Sequence, residues 1–187
     1  MTWASWRLGT GQNYGKAKSE IDEADLDLLT RYALWRESVE HDGTGDPQSP
    51  GQFNGYQDPL MRFLHARLWP RMEEVTGLTL LPTYVYFRIY RPGAILDKHT
   101  DRPACEVSAT LLVGANYEPT WPLFIEGEKI VQRPGEMAVY RGCEVEHWRE
   151  PMTGPPGDYH VQLFVHYVDA DGPYAMCAGD EDRPESR

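Results

Sequence analysis

TYVYFRIYRPGAILDKHTD, Thr83 to Asp101, reads as a strand, a corner and a second extended run. Tyr84, Tyr86, Arg88 and Tyr90 alternate with Val85, Phe87 and Ile89, the period of two of a strand lying between two environments. Arg91, Pro92 and Gly93 then break the ladder, since proline has no N–H to donate and glycine permits the turn. The chain resumes extended from Ile95 to Asp101. Residues two apart in an extended segment share a face, so the His99 imidazole and the Asp101 carboxylate can bind one metal ion.

A His-x-Asp pair by itself is common, and its ordinary meaning is a surface Asp beside a hydrogen-bonded His. Here the strand context and a second histidine give it weight. His147 follows a corner at Pro134-Gly135 and a strand from Met137 to Tyr140. Two histidines and a carboxylate on a β scaffold form a facial triad, which leaves three adjacent positions on Fe(II) for a chelating co-substrate and oxygen. Zinc is the rival metal.

Outward from this stretch, 187 residues, 41% of them hydrophobic, suit one domain with a real core. The start lacks an apolar run of signal length and nothing later approaches a membrane span, so a cytoplasmic protein without membrane partners is expected. Cys105, Cys143 and Cys177 have no metal-ligand spacing and are expected as reduced thiols. A net charge of −11 repels phosphate backbones and argues against a nucleic-acid partner. The acids concentrate near Glu20 to Asp27 and in the tail at Asp180, Glu181, Asp182 and Glu185.

Leu26, Leu29, Tyr32, Ala33 and Trp35 predict an amphipathic helix from about Asp22 to Ser38. Asp58 as cap and Pro59 in the first turn open a second helix, marked by Leu60, Leu64, Leu68, Met72 and Val75, kinked at Pro70 and ended by Gly77. His65 rides on it as a partly buried structural residue. Glu40 to Pro59, rich in Gly, Pro, Asp and Gln, reads as a long loop of the kind that covers active sites. Further strands are expected at Val107 to Val113, Trp121 to Ile125, Lys129 to Gln132, Met137 to Tyr140, Glu144 to Arg149 and Tyr159 to Val168. Many short strands separated by turns predict a sandwich or barrel, with both helices on the outside of one sheet.

Strand parity nominates the pocket. Tyr86 and Arg88 face inward with Tyr90, and Arg149 faces inward with His147. Each buried guanidinium then pairs with an acid of the protein or receives a ligand carboxylate. On the last strand His160, Gln162, Phe164 and His166 share a face, with His166 either lining the site or a neutral core residue. Arg102, next to Asp101, either grips substrate or orients Asp101.

The spacing Tyr90-x-x-Gly93-x-x-Leu96-x-x-His99-x-Asp101, followed by Ser108 to Val113, Pro134-Gly135 and His147, resembles the prolyl-4-hydroxylase type of Fe(II)- and 2-oxoglutarate-dependent dioxygenases. The resemblance covers about Leu80 to Asp169. It implies a mostly β fold with flanking α, a double-stranded β-helix (cupin-like jelly roll) with two N-terminal helices on one sheet. The helical part would run to about residue 77 and the core from about 78 to 170, with a flexible acidic tail over 175–187. It also implies Fe(II), 2-oxoglutarate and O2 as cofactors, with ascorbate as a candidate reductant, and His99, Asp101 and His147 as iron ligands. The family's Arg or Lys for the far carboxylate of 2-oxoglutarate is replaced here by His160. The expected anchor is therefore composite: Arg88 or, preferably, Arg149 supplies the charge, while Tyr90 and His160 complete the hydrogen bonds. Arg102, Tyr86 and His166 are the substrate-side candidates. The implied reaction is hydroxylation of an unactivated C–H bond of an amino acid, peptide or small metabolite, coupled to conversion of 2-oxoglutarate to succinate and CO2. Asp101 fills the position that halogenating relatives leave small. The alternative is a non-catalytic jelly-roll module that binds a metal or small ligand.

Overall fold

The structure is a computed structural model and describes residues 12–180. The first residues of the chain, and the tail acids Glu181, Asp182 and Glu185, lie outside the described residues. Alternation along the strands produces two antiparallel sheets. The larger contains, in spatial order, β1 (Tyr14–Lys18), β10 (Glu136–Tyr140), β7 (Val107–Ala115), β12 (His160–Asp169), β5 (Leu80–Tyr90) and β4 (Phe53–Tyr56). The smaller contains β6 (Leu96–His99), β11 (His147–Arg149), β8 (Leu123–Ile125) and β9 (Glu128–Ile130). Two further short strands, β2 (Gly45–Asp46) and β3 (Ser49–Pro50), make a separate hairpin.

The two faces of the larger sheet have different partners. Val85, Phe87, Ile89, Leu111, Val113, Leu163 and Val165 form one buried cluster with Leu26, Leu29 and Ala33 of α1 (Glu23–Glu40) and Met61, Leu64, Leu68 and Met72 of α2 (Pro59–Thr76). Both helices thus pack on the outer face, as expected. The alternate residues Tyr84, Tyr86, Arg88 and Tyr90 face Ser108, Thr110, His160, Gln162, Phe164 and His166 on the inner face, where most polar side chains are paired. Smaller apolar clusters, one around Leu96, Leu123, Ile125, Ala138 and Tyr140 and another around Tyr90, Trp121 and Phe164, fill the space between the sheets.

Local chemistry sets the helix ends. Asp22 accepts from the Asp25 amide at 2.8 Å, and Asp58 accepts from the Leu60 and Met61 amides. Gly77 ends α2 at φ 73°, a conformation that costs an L-residue a Cβ clash. α2 passes through Pro70 as a single helix.

Some expectations are corrected. Trp35 is 57% exposed, because Leu26, Leu29, Thr30 and Ala33 turn α1 so that its buried side excludes it. Glu40 to Pro59 is not a loop throughout: it holds the β2–β3 hairpin and β4, which pairs with β5 in the register Asn54↔Arg88 and Tyr56↔Tyr86. β1 went unread because YGKAK offers little apolar alternation, yet it caps the sheet by pairing with β10. At the other end, Ala175–Cys177 forms a 3-10 turn, Gly179 N–H donates to Pro82 O at 2.9 Å, and Asp180 pairs with Arg102 at 2.6 Å. This part of the tail is tied to the barrel.

Candidate active site

The corner after β5 brings the metal-type residues together. Gly93 adopts φ 93° and donates its N–H to Met152 O, turning the chain into β6. β6 pairs with β11, with His99 directly opposite His147. Asp101 follows and donates its own N–H to Gly142 O at 2.8 Å. A Cβ on Gly142 would lie 2.3 Å from Asp101 Oδ2, so only glycine lets the carboxylate sit here.

His99, Asp101 and His147 present their ligand atoms within 4.8 Å of one another. Asp101 Oδ1 is 3.7 Å from His99 Nε2 and 3.6 Å from His147 Nε2. Ligands about 2 Å from an ion and at right angles stand about 3 Å apart, so small side-chain rotations close the set on a metal. The tautomers suit the task. His99 Nδ1 meets Asp97 O at 2.7 Å and His147 Nδ1 meets Val145 O at 3.2 Å, so each Nδ1–H donates to a carbonyl and each Nε2 keeps its lone pair. Burial, outweighing the opposite pull of the Asp101 carboxylate, holds the His147 pKa below its ordinary value and favours the neutral, metal-binding form of the ring.

Asp101 is held from behind. Ser108 Oγ lies 3.1 Å from Asp101 Oδ2 and 2.8 Å from His166 Nδ1. With Nδ1 protonated, His166 donates to Ser108, whose hydroxyl donates to Asp101. Burial pushes the His166 pKa down to about 4, so the ring is neutral. The structure thus places His166 behind the carboxylate as a neutral buried residue, the second of the two roles that parity left open. Its Nε2 has no hydrogen-bond partner among the described residues, and the ring belongs to a second group with Asp101 and Cys105.

A cavity of about 370 Å³ opens beside the triad, between His99 and Asp101 on one side and Asp46, Pro47 and Gln48 of the hairpin on the other. Tyr56, Tyr84 and Tyr86 line it together with Arg88 and Arg102. The segment from Glu40 to Pro59 therefore does border the site. Arg102 lies 4.7 Å above the Tyr84 ring, on the cavity wall, in addition to its pair with Asp180.

The buried arginines have different environments. Arg88 pairs with Asp46 and donates to Tyr90 Oη at 3.1 Å. Arg149, 1% exposed, has no carboxylate partner among the described residues. Its guanidinium reaches Trp121 O, Gln162 Oε1 at 3.2 Å and Gln132 Oε1 at 3.5 Å, and lies 4.8 Å from the Trp121 ring centre. A buried cation that neutral oxygens alone surround is incomplete, and an anion completes it. His160 is near the same place but does not supply charge. Its Nε2 meets Gln162 Oε1 at 2.7 Å and its Nδ1 meets Tyr117 Oη at 3.2 Å, while burial and then the Arg149 charge press its pKa far below the ordinary range. The Gln132, Gln162, Tyr117 and Trp121 contacts were not foreseen; the inward parity of Gln162 was the one available signal.

No protein-family model matches the chain, and no curated protein matches it. Solved structures do. A prolyl-4-hydroxylase from Pseudomonas putida superposes with a TM-score of 0.66 at 20% identity, covering 85% of this chain and 94% of its own. EctD from S. alaskensis, solved with 2-oxoglutarate and 5-hydroxyectoine, gives 0.64 at 14% identity over 84% of this chain and 72% of its own. The non-heme alpha-ketoglutarate-dependent epimerase SnoN from nogalamycin biosynthesis gives 0.67 at 12% identity over 84% of this chain and 79% of its own. Two antiparallel sheets, two helices on one face and a His-Asp-His cluster between the sheets accord with these similarities: the chain has the double-stranded β-helix fold of the 2-oxoglutarate- and Fe(II)-dependent oxygenases.

Proposed function

We propose that the protein is an Fe(II)- and 2-oxoglutarate-dependent oxygenase that oxidises an unactivated C–H bond of a small molecule or peptide, with hydroxylation as the outcome. The observation that carries this is the convergence of His99, Asp101 and His147, ligand atoms within 4.8 Å, in this fold. When bound, iron with 2-oxoglutarate and O2 supplies the oxidant, and 2-oxoglutarate leaves as succinate and CO2. The residues of the chain hold and orient the participants. His99 and His147 offer Nε2 and Asp101 offers Oδ1. Arg149 is the anchor for the far carboxylate of 2-oxoglutarate, because it is buried and meets no protein anion among the described residues. Tyr90 and Gln162 flank the anchor, and neutral His160 fixes Gln162. This departs from the composite anchor in two respects: Arg88, already paired with Asp46, belongs to the cavity beside the triad, and His160 supports Gln162 instead of completing the anchor's hydrogen bonds.

Zinc accepts the same donor set, but zinc chemistry gives no role to Arg149. The fold also serves an epimerase, so the fate of the substrate after C–H oxidation is tested directly. With Fe(II), 2-oxoglutarate and ascorbate in air, the protein should form succinate, and the substrate should gain one oxygen in mass. His99→Ala and Asp101→Ala should abolish succinate formation while leaving the circular dichroism unchanged. Undiminished iron affinity in both variants would refute the metal assignment.

A further inference from the structure

The cavity beside the triad contains a half-used anion fork. Arg88 lines it and is 1% exposed. Nη2 donates to Asp46 Oδ2 and Nη1 donates to Tyr90 Oη, but Nε has no partner. Nε and Nη2 form one edge of a guanidinium, the edge that takes a carboxylate through two parallel hydrogen bonds. Asp46 takes one position on that edge, and no described residue takes the other. Asn54 stands directly opposite Arg88 in the β4–β5 ladder and lines the same cavity. Residues so paired have Cβ atoms about 5 Å apart, which brings the Asn54 side chain within reach of a ligand held on that edge. Asp46 is fixed in place, since its Oδ1 accepts from the Gln48 and Ser49 amides at 3.0 Å each. Ser49 Oγ in turn donates to Ile95 O, holding the hairpin to the corner that leads to His99.

We propose that this is the seat of a free α-amino acid substrate. Its α-carboxylate binds Arg88 Nε and the Asn54 amide, its α-ammonium faces Asp46, and its side chain extends toward His99 and Asp101. The assignment rests on the oxygenase reading above and names its substrate class. A simple carboxylic acid would bring a second negative charge beside Asp46, and a simple cation would meet Arg88. A zwitterion with its charges one carbon apart satisfies both members of the ion pair. A cavity of about 370 Å³ suits a single amino acid. Arg149 and Arg88 thereby divide two carboxylates between them, the first for co-substrate and the second for substrate.

The test uses the whole chain loaded with Mn(II) and 2-oxoglutarate, the standard L-amino acids and their α-carboxamides, with melting temperature as the binding readout. At least one free acid should raise the melting temperature, and its carboxamide should need a concentration higher by about tenfold or more. Arg88→Gln should weaken the acid by at least about tenfold and leave the carboxamide unchanged. Because losing a buried arginine can cost the fold, Asn54→Leu on the cavity wall serves as a second variant and should shift the same ratio in the same direction. A panel in which no acid responds, or in which acids and carboxamides respond alike, overturns the proposal. The oxygenase reading has its own control, namely stabilisation by Mn(II) with 2-oxoglutarate and iron-dependent succinate formation without any amino acid. If those hold while the panel is flat, the substrate seat fails and the oxygenase reading stands.

Discussion

Arg149 is two residues past His147, inward by parity, and the structure adds that no carboxylate among the described residues comes to meet it. Arg149→Met keeps the bulk and removes the cation, so 2-oxoglutarate affinity should fall by about two orders of magnitude, or about 3 kcal/mol. Titration of Mn(II)-loaded protein, followed by the fluorescence of the adjoining Trp121, measures this; an unchanged dissociation constant would remove Arg149 from the anchor role. Ser108 acts on Asp101 through a single hydroxyl, and Ser108→Ala should weaken Mn(II) binding by about tenfold at unchanged fold. Mn(II) titration monitored by electron paramagnetic resonance decides it. His65 tests a different property. Burial pushes its pKa down to about 4, so below pH 6.5 the unfolded chain binds a proton that the folded chain refuses. Its contribution to stability is intact above pH 6.5 and is lost progressively down to about pH 4, by about 3 kcal/mol. Urea unfolding of the metal-free protein should show this slope, and His65→Gln should reduce it by the His65 share while the buried His147, His160 and His166 keep the remainder.

The element that governs access is the hairpin of β2 and β3 with the turn at Pro47 and Gln48. It is attached through Asp46 to Arg88 and through Ser49 to Ile95 O, and packs little apolar surface. An element held by a few polar contacts opens locally at low cost. Amides from 44 to 50 should therefore exchange hydrogen faster than those of β5 or β12 in the free protein, and slow when co-substrate and substrate are bound. Equal protection in the two states would mean that the hairpin is a fixed wall. β12 and β7 lie inside the larger sheet with ladders on both edges, which makes them the slowest-exchanging comparison.

For the molecule as a whole, the triad joins β6, the segment after it and β11, so a bound metal ties strands that the unfolded chain leaves apart. A ligand that binds only the folded form stabilises it by RT ln(1 + [L]/Kd), about 2.7 kcal/mol at a hundredfold excess over Kd. For a domain of this length, that should raise the melting temperature by about 5 to 11 °C when Mn(II) is added with 2-oxoglutarate. His147→Ala should erase the increment. Among the described residues no helix is long and apolar enough to cross a membrane, and the three cysteines are free thiols.

Alternation determined β5 and β12 and which side of each faces inward, because a strand's side chains reverse at every residue whatever surrounds it, while short apolar runs between turns marked β7 and β10. Capping chemistry likewise set the start of α2 at Asp58 and its end at Gly77. The spacing of His99 and Asp101 placed both on one extended segment, and His147 was legible as the third member from the corner that precedes it. Tertiary structure alone decided the rest. β1 and β4 carry weak patterns and exist because a sheet edge offers them hydrogen bonds. Arg88 and Arg149 look alike in sequence, both inward on β-strands near aromatic residues. They separate in the fold because Asp46, 42 residues away, reaches Arg88, while only amide and carbonyl oxygens reach Arg149. The two roles open to His166, wall or neutral core, are likewise decided by Ser108, which links it to Asp101. Parity says which way a side chain points, and only the packing of distant segments supplies what it meets there.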